Sequence, residues 1–227
     1  MGSKRFERVV RTLSRRQVDL TIAMENVHKT RNLGAVARTC DGAGIGQIHA
    51  ISTDPTAVKL DHKAACGTEK WITVRQHLTI AAAYSVFRNL GLRILAATVE
   101  HGTVDFRSID YTLPSIIVVG SELDGLSAEA LENADVLLHV PLMGMVESLN
   151  VSVASGIILY EAVRQREQAG FYASPQIGQL EFDRLLFEWL HPRVARYCQT
   201  TGRPYPRLDE GGEIQESISG NLREGFK

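Results

Sequence analysis

The chain has 227 residues, of which 44% are hydrophobic and 22% are charged, and its formal net charge at pH 7 is −1. This composition is typical of one compact globular domain with small additions at its ends, and the near-zero charge argues against a protein that coats nucleic acid over its whole surface. No apolar run approaches the roughly 18 residues of a membrane span and the first residues lack the apolar segment of an export signal, so we expect a cytoplasmic protein without a membrane segment.

Residues 4–16 are predicted to form a helix with two different faces. Its apolar positions recur at helical spacing and are Phe6, Val9, Val10 and Leu13. A basic stripe lies beside them, and the first twenty residues carry six basic and two acidic side chains, a net charge of +4. A solvated helix without a binding role would show the same pattern, so this charge run alone leaves both interpretations open.

From residue 20 onward, short β-rich segments alternate with helical segments. The predicted strands are LTIAME, QIHAIS, WITVR, RILAAT, SIIVVG and VLLHV, which begin at residues 20, 47, 71, 93, 115 and 136. Helices are predicted over residues 33–40 and 79–90, and another begins with Ser127 as its N-cap. This alternation predicts an α/β fold with a mainly parallel sheet and helices on both of its faces.

The last third of the chain is predicted to be helical. A long apolar helix covers residues 151–168, and Gly170 is placed to end it. A further helical segment covers residues 180–198, and the Pro-rich stretch GRPYPRL follows. We therefore divide the chain into an N-terminal basic helix (1–19), a central α/β domain (20–170) and a C-terminal helical and Pro-rich extension (171–227).

The glycines of DGAGIG, residues 41–46, resemble the phosphate-binding loop of nucleotide-binding folds. Such a loop follows a strand and opens a helix, so that backbone N–H groups and the helix dipole meet the ligand. Here the glycines follow a predicted helix and lead into the strand QIHAIS. A helix C-cap and turn is the better interpretation, which argues against a nicotinamide oxidoreductase.

Other catalytic classes lack their motifs. The chain has no G-x-S-x-G elbow and no P-loop, and its seven histidines show no metal spacing. Three scattered cysteines do not form a disulfide framework or a zinc site, so we expect them to be reduced and buried and expect no metal. His139, inside an apolar strand, is expected to be a structural residue.

Three stretches place glycine or polar residues at the carboxyl end of a predicted strand, where open α/β sheets bind ligands. They are NLGAVAR at residues 32–38, VVGSELDGL at 118–126 and VPLMGMVESLNVSVA at 140–154. Each stretch also has a simpler interpretation. Ser148 or Asn150 could only cap the following helix, and Glu122 could be a solvated turn residue.

In this order and spacing the three stretches resemble the signature motifs of the SPOUT superfamily of RNA methyltransferases. The basic first helix, MENVHKTRNLGAVARTCDGAGI, DFRSIDYTLP and GRPYPRL are similar to the tRNA guanosine-18 2′-O-methyltransferases of that superfamily, from Arg5 to about Ile214. The resemblance implies a C-terminal deep trefoil knot, a homodimer, S-adenosylmethionine as cofactor and a guanosine ribose of the tRNA D-loop as methyl acceptor.

The resemblance also implies roles for individual residues. The cofactor pocket would be lined by Thr98, Gly120, Val140 and Leu149, with tight backbone turns at Gly120, Gly125 and Gly144. The polar groups around the reacting atoms would be Asn32, Glu122, Ser148 and Asn150.

Arg38 matches the residue to which the family assigns activation of the 2′-hydroxyl. It could act as a base, but an arginine pKa above about 12 favours phosphate binding and stabilisation of the developing alkoxide. Arg38 of one subunit could complete the site of the other, and Asn32 could help orient Arg38 or the ribose.

A tRNA substrate would give the basic residues a function, because arginine forks bind phosphate. We expect RNA contacts from Arg8, Arg11, Arg15, Arg16, Arg164 and Arg166. Two alternatives remain open. One is a ribosomal-RNA 2′-O-methyltransferase of the same superfamily, although such relatives commonly carry an additional domain. The other is a catalytically silent RNA-binding protein.

Overall fold

A computed structural model describes residues 2–54 and 58–215. The end of the predicted C-terminal extension, residues 216–227, lies outside the described residues. The chain divides into two compact units, one formed by Met1–Arg15 together with Pro175–Lys227 and the other by Arg16–Ser174. The larger unit contains the sheet and the smaller unit is helical.

The larger unit is built on a seven-stranded sheet. Its strands are β1 (Leu20–Glu25), β2 (Gln47–Ile51), β3 (Thr73–His77), β4 (Arg93–Ala97), β5 (Val104–Asp105), β6 (Ser115–Val119) and β7 (Val136–His139). Their spatial order is β3-β2-β1-β6-β4-β7-β5, and every pair of neighbours is parallel. The predicted parallel sheet is confirmed, while the trefoil knot stays a prediction.

Eight helices accompany the sheet in the described part of the chain. They are α1 (Gly2–Leu13), α2 (Thr30–Gly42), α3 (His62–Ala65), α4 (Ile80–Asn89), α5 (Ala128–Glu132), α6 (Val151–Gln168), α7 (Gln179–Leu190) and α8 (Pro192–Thr201). Among the residues described, no helix combines the length and apolar character required to cross a bilayer.

Helices cover both faces of the sheet, as predicted. Ile22 and Met24 of β1 belong to the apolar cluster that includes α2 and α6, whereas Ala23 belongs to the cluster that includes α4 and α5. Successive strand residues point to opposite faces, so one strand serves two cores. The central strands β1 and β6 are therefore buried along their whole length.

The glycine-rich segment after α2 is a turn, as predicted. The helix ends at Gly42, and Gly44 adopts a φ of 82°, a conformation that a residue without Cβ enters at little cost. The chain then enters β2 at Gln47. Because these glycines lead from a helix into a strand, they do not form a phosphate-binding loop.

The smaller unit contains α1, α7 and α8. Arg5 of α1 donates a hydrogen bond to the carbonyl of Trp189 in α7 at 2.7 Å. The segment predicted to be helical over residues 180–198 is helical, but it consists of two helices that meet at His191 and Pro192. Proline has no N–H to donate and disfavours the helical conformation in the residue before it, and His191 accordingly has φ −126° and ψ 57°.

Candidate functional site

A cavity of about 350 Å³ lies at the carboxyl ends of β4, β6 and β7. The four residues predicted to hold the cofactor all line it. Thr98 follows β4, Gly120 follows β6, Val140 follows β7, and Leu149 precedes α6. Parallel strands end at one edge of a sheet, and their following loops therefore converge on a common site.

Gly120 begins a tight turn that forms one wall of the cavity. A Cβ at this position would lie 2.1 Å from the carbonyl carbon of Gly125, a distance that no side chain allows. The turn is closed by two backbone hydrogen bonds between Ser121 and Gly125, each 3.1 Å long, and Gly125 has a φ of 67°. The predicted tight turns are present at these two glycines. Gly144 has neither a positive φ nor a neighbour within 4 Å of a Cβ placed there.

The structure brings three of the predicted polar residues together beside the cavity. Asn150 Nδ2 donates to Glu122 Oε1 and lies 3.4 Å from Asn32 Oδ1. Asn150 also caps α6, because its Oδ1 accepts from the backbone N–H of Ser152 at 2.9 Å. Asn150 therefore has both the capping role and the cluster role that the sequence left as alternatives.

Lys29, at the N-cap position of α2, extends this cluster. Its Nζ forms an ion pair with Glu122 Oε2, so both carboxylate oxygens of Glu122 have donors. The hydrogen bond from Lys29, followed by those from the amides of Asn32 and Asn150, holds the pKa of Glu122 below its usual value. At neutral pH this side chain is an anion that accepts hydrogen bonds.

The lining of the cavity fits S-adenosylmethionine. Apolar walls suit an adenine ring, and they are formed in part by Leu126, Val140, Leu142, Leu149 and Ile158. The carboxylates of Glu100, Glu122 and Glu147 suit positive charge. Ser148 is exposed and also lines the cavity.

Arg38 does not join this cluster within one chain. Its side chain is exposed, does not line the cavity, and donates from Nη1 to Cys66 Sγ at 3.2 Å. Six residues of helix separate it from Asn32, a rise of about 9 Å and a rotation of about 240°, so the two side chains leave α2 in different directions. The prediction that Asn32 orients Arg38 is not supported. The expectation that the cysteines are buried is wrong for Cys66, which is exposed in a left-handed turn after α3.

The basic residues of α1 lie on its exposed side. Arg8 and Arg11 are exposed, while Val9 and Leu13 are buried. The predicted division of this helix into a basic and an apolar face is therefore correct, but the helix ends at Leu13 and not at residue 16, so the exposed Arg15 lies in the turn that follows it. Arg164 of α6 is also exposed, although its guanidinium binds Glu161 in the preceding turn.

Two of the six arginines predicted to bind RNA are buried and cannot do so. Arg16 is 4% exposed and bonds to Asp41 and to the carbonyls of Ile45 and Trp71. Arg166 is fully buried and pairs with Asp19 at 2.5 Å. Burial of a guanidinium is compensated only when its donors are bonded, so these two arginines hold the fold together.

Sequence reasoning missed Lys29, Cys66 and His139 as members of the site. Lys29 stands three residues before Asn32 in the segment that carried the resemblance, so its position was a usable signal. His139 lines the cavity, and its Nδ1 lies 2.9 Å from the hydroxyl of Thr103. Nothing in the sequence indicates that Cys66 contacts Arg38, because the contact joins two separate helical segments.

Comparison with known proteins agrees with this geometry. The sequence model of the SpoU rRNA Methylase family matches residues 19–160, and that of the SpoU rRNA methylase C-terminal region matches residues 164–217. The chain is 42% identical over 217 residues to the tRNA (guanosine(18)-2'-O)-methyltransferase of Escherichia coli K12, and the match covers 95% of this chain and 94% of that protein.

Two solved structures are similar in fold. The TrmH/SpoU tRNA modifying enzyme of Aquifex aeolicus superposes with a TM-score of 0.79 at 37% identity, covering 85% of this chain and 98% of that chain. The AdoMet-bound rRNA methyltransferase of Sinorhizobium meliloti superposes with a TM-score of 0.55 at 28% identity, covering 68% of this chain and 59% of that chain. Because the family model spans residues 19–160 and the match to the E. coli protein extends over nearly the whole sequence, this chain belongs to the SpoU rRNA Methylase family.

Proposed function

We propose that this chain transfers the methyl group of S-adenosylmethionine to the 2′-hydroxyl of guanosine 18 in the D-loop of tRNA. The proposal rests on one juxtaposition: the cavity at the carboxyl ends of the strands adjoins the polar cluster of Asn32, Glu122 and Asn150. The name of the E. coli relative, which is 42% identical over nearly the whole chain, supports guanosine 18 as the acceptor.

In this proposal Thr98, Gly120, Val140 and Leu149 hold the cofactor at the sheet edge. When bound, the cofactor supplies an electrophilic methyl group on a sulfonium. The apolar walls of the cavity exclude water from that group, which limits competing hydrolysis. The nearby carboxylates favour a ligand that carries positive charge.

The polar cluster would orient the ribose. Glu122 is anionic and faces the cavity, so it can accept a hydrogen bond from the 2′-hydroxyl and take up the proton that this oxygen loses when it is methylated. The amide of Asn150 holds the carboxylate and also meets the amide oxygen of Asn32, and Ser148 offers a further hydroxyl at the cavity wall. Positioning of this kind lowers a barrier by holding the reacting atoms in line before the reaction begins.

Arg38 would bind the phosphate beside the acceptor ribose and stabilise the negative charge that develops on the 2′-oxygen. Its guanidinium stays protonated at neutral pH, which favours this role over that of a base. The side chain is exposed and its recorded partner is the weak acceptor Cys66 Sγ, so an RNA phosphate could replace that partner at little cost.

A homodimer is part of the proposal because it would bring Arg38 of one protomer to the cavity of its partner. On α6, Ile158 and Leu159 are buried against the sheet, whereas Val153, Ile157 and Tyr160 are 50%, 37% and 55% exposed. These three residues follow an i, i+4, i+7 spacing and form one apolar stripe. An apolar helix stripe that faces solvent in the single chain is typical of a subunit interface.

The tRNA would be held by Arg8 and Arg11 on the basic face of α1 and by Arg15 in the turn after it, with a further contribution from Arg164. Guanidinium groups bind phosphate oxygens through two parallel hydrogen bonds, and such contacts position an RNA without reading its sequence. Arg16 and Arg166 are not part of this surface, because both are buried.

The decisive experiment incubates the protein with S-adenosylmethionine and unmodified tRNA and then locates the methylated nucleotide by mass spectrometry. We expect one 2′-O-methyl group, on guanosine 18. Methylation of deproteinised ribosomal RNA but not of tRNA would establish the ribosomal alternative. Binding of cofactor and tRNA without methyl transfer would establish a silent RNA-binding protein.

A further inference from the structure

His139, the last residue of β7, lines the cavity at the carboxyl ends of the strands. Its ring is held from one side: Nδ1 lies 2.9 Å from Oγ1 of Thr103. Thr103 is not among the residues that line the cavity, whereas His139 is. Because Nδ1 is engaged by a residue outside the lining, Nε2 is the ring nitrogen that a ligand in the cavity could meet.

The hydrogen bonds of Thr103 favour one position for the ring proton of His139. A threonine hydroxyl has one hydrogen, and Thr103 Oγ1 lies 3.3 Å from the carbonyl of Glu100, which can only accept. With the hydroxyl hydrogen directed to that carbonyl, the oxygen accepts from His139, and we assign the ring hydrogen to Nδ1. In the neutral ring, Nε2 is then a hydrogen-bond acceptor.

The surroundings of His139 indicate which part of the cofactor it meets. Val140 follows His139 in the chain, and Leu142 lies two residues further on. Both belong to an apolar wall of the same cavity. An apolar wall with one fixed polar atom is typical of a pocket for a heterocyclic base. Adenosine carries an amino group and ribose hydroxyls that can donate to such an atom, whereas the carboxylates of Glu100, Glu122 and Glu147 in the same cavity suit the positive charge of the amino-acid half.

We infer that Nε2 of His139 accepts a hydrogen bond from the adenosine half of S-adenosylmethionine, and that Thr103 positions the ring for this contact. This inference rests on the proposed function, since it assigns an additional cofactor contact in the same cavity. The contact differs from those of Gly120, Val140 and Leu149, which belong to the signature stretches and hold the ligand through a tight turn and apolar contact.

Two substitutions of His139 distinguish a ligand contact at Nε2 from one at Nδ1. In His139→Gln the end of the side chain reaches the position of Nε2, whereas in His139→Asn the amide reaches only the position of Nδ1. By titration calorimetry we expect His139→Asn to weaken S-adenosylmethionine binding about three- to ten-fold, the usual effect of one lost hydrogen bond, and His139→Gln to stay within about two-fold of wild type. Equal weakening in both variants, or in neither, would overturn the inference.

The same titration with 5′-methylthioadenosine, which has the adenosine half but no amino acid, identifies the group that is bound. His139→Asn should weaken its binding by the same factor. A loss for S-adenosylmethionine alone would move the contact to the amino-acid half and contradict the assignment. Thermal unfolding of each variant without ligand checks that the fold is retained.

Thr103 offers an independent test of the positioning role. Thr103→Val removes the acceptor for Nδ1–H, and Thr103→Ser keeps it. We expect the valine variant to raise the KM for S-adenosylmethionine while kcat changes little, and the serine variant to restore it; identical KM values in both variants would contradict the role. The calorimetric titration of the wild-type protein separates this inference from the proposed function. If the wild-type protein does not bind S-adenosylmethionine, the proposed function is refuted. If it binds normally and the variants bind equally well, only this inference is refuted.

Discussion

Lys29 and Glu122 lie 93 residues apart in the chain and form an ion pair beside the cavity. The contact joins the start of α2 to the turn that follows β6 and leaves the second oxygen of Glu122 to the amide of Asn150. One carboxylate thus connects the three sequence stretches that carry the site, and Lys29 is the residue that holds its charge in place.

Replacement of Lys29 should therefore alter the pH dependence of the reaction. Lys29 is the main cause of the lowered pKa of Glu122, so Lys29→Met should raise that pKa and protonate the carboxylate at higher pH than in wild type. We expect the acid limb of the kcat profile to move to higher pH and Lys29→Arg to restore most of it. Lys70→Met, at an exposed lysine outside the site, serves as control. If the acid limb of Lys29→Met is unchanged, the ion pair between Lys29 and Glu122 does not control the pH dependence of the reaction.

Mixed dimers test whether Arg38 acts on the cavity of the partner subunit. Arg38→Ala and Glu122→Ala homodimers should each lose turnover, and Arg38→Ala should still bind S-adenosylmethionine. If Arg38 acts across the interface, each mixed dimer has one complete site, and an equimolar mixture should recover about a quarter of wild-type activity. No recovery after subunit exchange, monitored by differential tags, would place both residues in one chain's site.

The basic face of α1 predicts a salt dependence of tRNA binding. Each phosphate contact contributes about 0.7–0.9 to the slope of log K against log salt concentration. We expect the double variant Arg8→Ala, Arg11→Ala to lower the magnitude of the slope by about 1.4–1.8, measured by filter binding between low and moderate salt. Arg184→Ala is the matched control, since its guanidinium is already bound by Glu181 and Glu188 in the same helical unit. If the wild type, the double variant and Arg184→Ala all show the same slope, α1 does not contact the RNA.

Arg164 and Arg166 occupy the same turn of α6 but should behave differently on substitution. Arg166 is fully buried, pairs with Asp19 and bonds to the carbonyl of Tyr111 at 2.8 Å. Arg166→Met leaves Asp19 without its partner and should lower the free energy of unfolding by about 3–5 kcal/mol. Arg164→Met breaks the ion pair of the exposed Arg164 with Glu161 on the same helix. It should change the free energy of unfolding by less than about 1 kcal/mol. Urea unfolding at pH 7 compares the two, and similar values would show that the burial of Arg166 contributes little.

A pair of histidines predicts sensitivity of the fold to acid. His49 Nδ1 lies 2.9 Å from His77 Nε2, and burial, followed by the charges of His77 and Arg75, lowers the pKa of His49 to about 4. Between its ordinary value of about 6.5 and about 4, the unfolded chain binds a proton that the folded chain does not. Stability should therefore fall as the pH falls through this window, by about 3 kcal/mol in total.

Thermal unfolding between pH 7.5 and 4 measures this effect. His49→Gln should flatten the dependence, because glutamine has no proton to gain. His101→Gln, at an exposed turn, should follow the wild-type curve. If His49→Gln also follows that curve, other groups determine the acid sensitivity.

The sequence was sufficient where function depends on local pattern. Strand ends can be read from short β-rich runs, and parallel strands bring those ends to one edge. The resemblance to the SPOUT superfamily then implied that Thr98, Gly120 and Val140 share one pocket at this edge, and all three line the cavity. The prediction that DGAGIG forms a turn needed only the order of elements along the chain, because its glycines come at the end of a helix and not after a strand. The two faces of α1 followed from helical periodicity.

Only the tertiary structure decided which charged side chains are available for RNA. Arg15 and Arg16 are adjacent in one basic run, yet Arg15 is exposed, while Arg16 is buried against groups 25–55 residues away. Arg164 and Arg166 differ in the same way. A charge run fixes the number of charges, but the desolvation of each one depends on neighbours that are distant in the chain. For the same reason the sequence indicated the members of the polar cluster but not the contacts of Lys29, Cys66 and His139, which exist only once separate segments meet.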